Sequence, residues 1–172
     1  MKQRIEIPEL VDCVTIDVGK NTALAFWDGT FFPSIQEIKY SGRVKGKPER
    51  YIEIMTNSLY DLLDGYRKWF TFIQIEGVGL WEKSSRSLTS ASRGDLFTVA
   101  YLVGAYTVVA QEFSIDVRIV NAPQWKGQLT KEGTAARVKR INGKTYKNDH
   151  ITDAVAMGFS NVKEIWHLER TS

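Results

Sequence analysis

Val11-Asp12-Cys13-Val14-Thr15-Ile16-Asp17-Val18-Gly19-Lys20-Asn21-Thr22-Ala23-Leu24-Ala25-Phe26-Trp27 is the stretch that decides the fold. It starts as an apolar, β-branched run, the pattern of a strand buried on both faces. One carboxylate, Asp17, stands near its end, just before Gly19 and a second apolar run. Ionised groups are costly to bury without a partner or a metal, so this acid needs a reason. A turn cap before Gly19 is one reason and a functional site is the other. On this stretch alone both stay open.

Moving outward, Asp28-Gly29 between apolar runs is a strong hairpin signal. Thr22 to Trp27 and a strand around Phe31 to Tyr40 therefore complete an antiparallel three-stranded meander. Pro48 opens a helix, where its missing N–H costs nothing. Ile52, Met55, Leu59, Leu62, Tyr66 and Trp69 follow in steps of three and four, a one-sided helix packing on a sheet. Phe70 to Gly77 reads as the next strand and again delivers one acid, Glu76, near its end. From Gly77 to Gly94 the chain turns polar and Ser-rich, a loop at a strand end where function concentrates.

Asp95 can cap the helix that follows, Leu96 to about Phe113, which is apolar almost all the way round. One face covers the sheet; the other implies burial against a second copy across a two-fold axis. Ile115 to Asn121 is a fifth strand, Pro123-Gln124-Trp125-Lys126-Gly127 a turn, and Asn142-Gly143 a second tight turn. A last helix starts near Asn148-Asp149 and runs through Gly158. His150 and Asp153, three apart, share a face of its first turn, and Asp149 is spaced to pair with Asp153. The tail from Val162 to Ser172 carries no functional signal.

The 172 residues, 43% hydrophobic and 25% charged, fit one domain with a core from about 11 to 160 and short extensions. Net charge is only +3, but its distribution is uneven. Between Lys126 and Lys147 lie seven basic residues and one acid, Glu132; Arg43, Lys45, Lys47 and Arg50 form a second cluster. Such clusters suit phosphate contacts or a solvated surface. The single Cys13 excludes an internal disulfide and reads as a small buried hydrophobe. Met1 to Glu6 lacks the apolar core of a signal peptide, and Phe97 to Ala110 falls short of the ~20 residues a membrane span needs. A soluble cytoplasmic protein without a membrane partner is expected.

Three separated elements thus each bring an acid or imidazole to an end: Asp17, Glu76 and the His150/Asp153 pair. Parallel first and fourth strands would bring the first two together, with the last helix laid over that edge. Carboxylate-rich sites with few nitrogens favour magnesium or manganese. Two ions ~3.5–4 Å apart can stabilise the attacking water and the leaving oxygen of a phosphodiester. Asp17, central in the sheet, is the natural bridging ligand. No Walker or dinucleotide loop occurs.

The order of elements resembles the ribonuclease H-like superfamily, and within it the RuvC-type Holliday junction resolvases of bacteria and phages. The resemblance is carried by Ile16-Asp17-Val18-Gly19, Ile75-Glu76-Gly77 and His150-Ile151-Thr152-Asp153-Ala154-Val155-Ala156-Met157-Gly158, with Pro123-Gln124-Trp125-Lys126-Gly127 in support. It implies an α/β fold: a five-stranded mixed sheet, with an antiparallel β1-β2-β3 meander and parallel β1-β4-β5, flanked by helices. It also implies a homodimeric endonuclease that resolves branched DNA by paired nicks, serving recombination and repair. Asp17, Glu76, His150 and Asp153 would be its catalytic ligands for two Mg2+ ions, with Mn2+ as substitute.

The same resemblance puts Lys126, Lys131, Arg137, Lys139 and Arg140 on DNA phosphates, with Trp81, Lys83 and Arg86 from the Ser-rich loop. Trp81, the only aromatic between Gly77 and Arg93, would stack on bases or anchor its loop. Dimerisation would use the helix at about 96–113. Three other readings stay open: a monomeric nuclease on RNA–DNA hybrids, a branched-DNA-binding module that does not cut, and an actin-like phosphotransferase. The last rests on Asp17-Val18-Gly19-Lys20-Asn21-Thr22, which resembles that superfamily's first phosphate loop. It needs two such domains, and this chain has room for one.

Overall fold

The computed structural model describes residues 12–30, 32–42, 47–66, 70–78 and 95–161. Its strands are β1 (Cys13–Asp17), β2 (Asn21–Trp27), β3 (Ser34–Lys39), β4 (Phe72–Glu76) and β5 (Asp116–Val120). They form one sheet in the order β3-β2-β1-β4-β5. The first two connections are antiparallel hairpins, while β1–β4 and β4–β5 are parallel. All five residues of β1 are buried, as a central strand requires. The meander and the parallel half both match the expected ribonuclease H-like sheet.

Helices α1 (Pro48–Gly65) and α2 (Asp95–Glu112) cover one face; α4 (Lys131–Asn142) and α5 (Asp149–Phe159) cover the other, with the short α3 (Ala122–Lys126) beside them. Alternation along β1 divides the two cores. Val14 and Ile16 join Leu24, Phe26, Ile73 and Ile75 under Met55, Leu59, Leu102 and Tyr106. Cys13 joins Ala23, Ala25, Trp27 and Phe72 under Val138, Ala154, Val155, Met157 and Phe159. Cys13 is buried, as its sequence context implied, and burial pushes its thiol up to about 12. Asp17 shares the Cys13 face, the side on which α5 lies.

Two features differ from the sequence reading. The first amphipathic helix stops at Gly65; Tyr66 leaves it with extended backbone and stacks on Phe26, ring centroids 4.0 Å apart. The basic segment is helical where the sequence showed only turns. Asn121 and Gln124 cap α3 reciprocally, and Thr130 caps α4 by accepting from the Gly133 N–H at 3.1 Å. Asn142-Gly143 is the α4 terminus, Gly143 taking the left-handed conformation at φ 73°. Among the described residues no helix is long and apolar enough to cross a membrane.

Candidate active site

The site is built by a match of two periods. Two residues of strand advance ~6.6 Å, and four residues of helix ~6 Å. Asp17, Thr15 and Cys13 therefore step along β1 beside His150, Ala154 and Gly158 of α5. The first two rungs are hydrogen bonds, and the third runs through Trp27. His150 Nδ1 lies 2.7 Å from Asp17 Oδ2. The Thr15 hydroxyl donates to the Ala154 carbonyl at 2.7 Å, and accepts from Trp27 Nε1 at 3.0 Å. Trp27 is the β2 partner of Cys13 in the sheet register. Its indole fills the space a Cβ at position 158 would need.

The N-terminus of α5 is fixed as firmly. Asn148 accepts from the His150 N–H at 3.0 Å and donates from Nδ2 to Glu37 Oε1 of β3 at 2.6 Å. One side chain thus caps the helix and ties it to the far half of the sheet. The loop after β1 is held from the opposite layer, where the Tyr51 hydroxyl of α1 donates to the Gly19 carbonyl at 2.6 Å. A Cβ at Gly19 would press on the His150 ring at 3.3 Å. Glycine here lets the loop and the imidazole approach.

Glu76 enters from β4. The parallel register pairs Thr15 with Gln74 and Ile16 with Ile75, so Glu76 follows beside Asp17 on the same face. Its carboxyl is pushed up to about 8, by burial first and then by the charges of Asp17 and Asp153. Asp153 is also held above the ordinary carboxyl range, burial outweighing the nearby Lys126 ammonium. The imidazole of His150 is raised by its bond to Asp17. Carboxyl groups are therefore crowded at the ends of β1 and β4, where burial and mutual charge favour retention of a proton, with Asp17 itself only 8% exposed.

The structure brings Asp17, Glu76, His150 and Asp153 into one neighbourhood from three elements. Asp17 is bonded across the chain to His150 rather than serving only as a turn cap. Asp149 does not pair with Asp153; it is exposed and bridges Lys131 at 2.8 Å. Among the described residues no three acidic or imidazole groups are gathered closely enough to hold a metal ion as they stand. The donor set nevertheless suits a hard divalent cation, being three carboxyl groups and one imidazole, with Glu76 lifted by burial and by the charges of Asp17 and Asp153.

The basic residues expected on phosphates divide. Lys131, Lys139 and Arg140 are exposed. Arg137 is only 6% exposed, on the inner side of α4 with Thr134 and Val138. Lys126 is turned into the site, its Nζ 3.3 and 3.4 Å from the two Asp153 carboxylate oxygens. Sequence reasoning missed this ion pair, since nothing local links residues 27 apart. Trp81, Lys83 and Arg86 lie outside the described residues.

No protein-family model matches the sequence, and no curated protein matches it. Solved structures do. Thermus thermophilus RuvC in complex with Holliday junction substrate superposes with a TM-score of 0.65 at 18% identity, over 86% of this chain and 90% of that one. A second Thermus thermophilus RuvC structure gives 0.62 at 18% identity, over 86% and 91%. The order of strands, the acids at their ends and the helix over them are thus set in a scaffold already known: the chain has the ribonuclease H-like fold of the RuvC resolvases.

Proposed function

We propose that the protein is a metal-dependent endonuclease that resolves branched DNA, such as Holliday junctions, by paired nicks in a homodimer. The observation that carries this reading is the convergence of Asp17, Glu76, His150 and Asp153 on a fold shared with a resolvase solved on its junction. In this reading the four residues would hold two Mg2+ ions, and the chemistry supplied would be Lewis-acid stabilisation of charge on a phosphodiester undergoing hydrolysis. Mn2+ would substitute for them.

The chain's own groups do the positioning. Asp17 and Glu76 sit on adjacent strand ends, so their separation is set by the sheet. A carboxylate only accepts, so the Nδ1–H of His150 is donated to Asp17; when the ring is neutral, Nε2 is its lone-pair nitrogen. Lys131, Lys139 and Arg140 contact phosphates without reading sequence. Trp81, Lys83 and Arg86 join them from the segment that follows β4.

Support for the dimer comes from α2. Phe97, Tyr101 and Val108 are 60, 67 and 56% exposed, at spacings of four and seven that place them on one stripe. A monomer leaves that stripe in water. A nuclease for RNA–DNA hybrids would have no use for it.

The test is incubation of labelled four-way junction, fork, duplex and RNA–DNA hybrid with Mg2+ or with chelator, alongside sedimentation at micromolar concentration. Paired, Mg2+-dependent nicks in the junction by a dimer are expected. Cleavage of hybrid alone, or junction binding without any cleavage, overturns the reading.

A further inference from the structure

We propose that Lys126 is the resident counter-cation of the acidic cluster, seated on Asp153 in the metal-free protein and displaced from it when a divalent ion binds. The proposal rests on the reading of Asp17, Glu76, His150 and Asp153 as metal ligands, and makes Lys126 the residue that sets their affinity.

The geometry is that of a clamp on one carboxylate. Nζ lies 3.3 Å from one oxygen of Asp153 and 3.4 Å from the other, and both side chains are largely buried, at 16 and 18% exposure. The Lys131–Asp149 bridge is shorter, at 2.8 Å, but about two-thirds exposed at each end. Water screens that outer pair and screens the inner one far less. The base of the Lys126 side chain cannot drift, because α3 is fixed by the Asn121/Gln124 capping box and by buried Trp125. Its ammonium lies 5.4 Å from the Trp125 ring centroid.

A divalent ion at the cluster needs oxygens of Asp153, and both already face an ammonium. Lysine suits an exchangeable role. It is a point charge on a flexible four-carbon stem, so it can withdraw without moving the helix that carries it. While seated it stabilises carboxylates that would otherwise repel one another; once the metal arrives, the same charge is unfavourable and must leave. Lys126 is thus a positioning residue for the carboxylates of the cluster and a competitor of the metal.

The experiment measures metal binding directly, on the full chain without DNA. Mn2+ is titrated by electron paramagnetic resonance into wild type, K126Q, K126R and K131Q. K126Q should bind about tenfold tighter, the scale set by removing one unit charge beside a partly desolvated cation site. K131Q should stay within about twofold, because its charge is solvent-screened, and K126R should bind no tighter than wild type. In 15N-lysine-labelled wild type, the Lys126 Nζ resonance should move in step with Mg2+ occupancy.

Unchanged or weaker Mn2+ binding in K126Q overturns the proposal while leaving the metal site standing. So does an equal gain in K131Q, or a Lys126 resonance unmoved at saturating Mg2+. A wild-type protein that takes up no Mn2+ overturns the metal reading itself. The resonance titration needs no variant, so it decides the matter even if K126Q does not fold.

Discussion

On the face of the sheet toward α1 and α2, the rungs of β1 are Val14 and Ile16, packed among Leu24, Phe26, Met55 and Leu59. On the opposite face, one residue along the same strand, the rungs are Thr15 and Asp17, hydrogen-bonded to Ala154 and His150. Apolar packing is non-directional, so the first face tolerates small shifts of a helix at modest cost. Hydrogen bonds are lost over fractions of an ångström, so the second face fixes α5 in one register. The fold is held by both faces, but the placement of the acids depends on the polar one.

Asp17→Asn should have the largest effect. It keeps the shape and loses the charge, so folding and junction binding should persist while cleavage falls by at least about 10³-fold, several kcal/mol of transition-state stabilisation. Gel-resolved nicking under single-turnover conditions measures it. Cleavage at the wild-type rate would remove Asp17 from the site.

A matched pair of core substitutions tests the contrast itself. Leu59→Ala on the apolar face should cost about 3 kcal/mol of stability and leave cleavage per folded molecule unchanged. Thr15→Val is nearly isosteric; it should cost about 1–2 kcal/mol by leaving Trp27 Nε1 without its acceptor and removing the bond to the Ala154 carbonyl. Its effect on cleavage should be larger, about tenfold per folded molecule, because α5 loses its register. Urea denaturation and active-site-normalised rates separate the two quantities. Equal loss of cleavage in both variants would mean that the faces are not distinct in function.

The smallest effect is one of pH. Glu76 has its ordinary value of 4.5 raised to about 8 in the fold, so the folded state holds a proton the unfolded chain releases. Its contribution to stability is present below 4.5 and lost as pH rises toward 8. His150, raised above 6.5, acts in the same sense, its contribution fading as pH climbs through its folded value. Melting temperature in chelator should therefore fall between pH 5 and pH 8 more steeply in wild type than in Glu76→Gln, and Mg2+ should flatten the wild-type slope. Parallel profiles for the two proteins would show that Glu76 takes up no proton on folding.

The meander and α1 were legible in the sequence because their signals are local: apolar runs closed by an acid, Asp28-Gly29, and a regular three-and-four spacing. The His150/Asp153 pair was legible for the same reason. α4 was not. Its buried side is narrow, made of Thr134, Arg137, Val138 and Asn142, so the helix reads as a basic stretch punctuated by Gly133. The polar rungs were hidden differently. Thr15 meets Ala154 across 139 residues of sequence, and Lys126 meets Asp153 across 27, contacts with no trace in any window of the chain.

Those long separations have a consequence for biosynthesis. Asp17 and His150 stand 133 residues apart, and α5 is the last described element to emerge from the ribosome. The nascent chain can pair all five strands and bury the apolar face before α5 exists, leaving Asp17 and Glu76 without their third and fourth partners. Contacts this distant in sequence are closed late, after the loops between them have been ordered. A chain cut short before α5 would carry the sheet without His150 and Asp153, and so without the meeting of Asp17 and His150 across it.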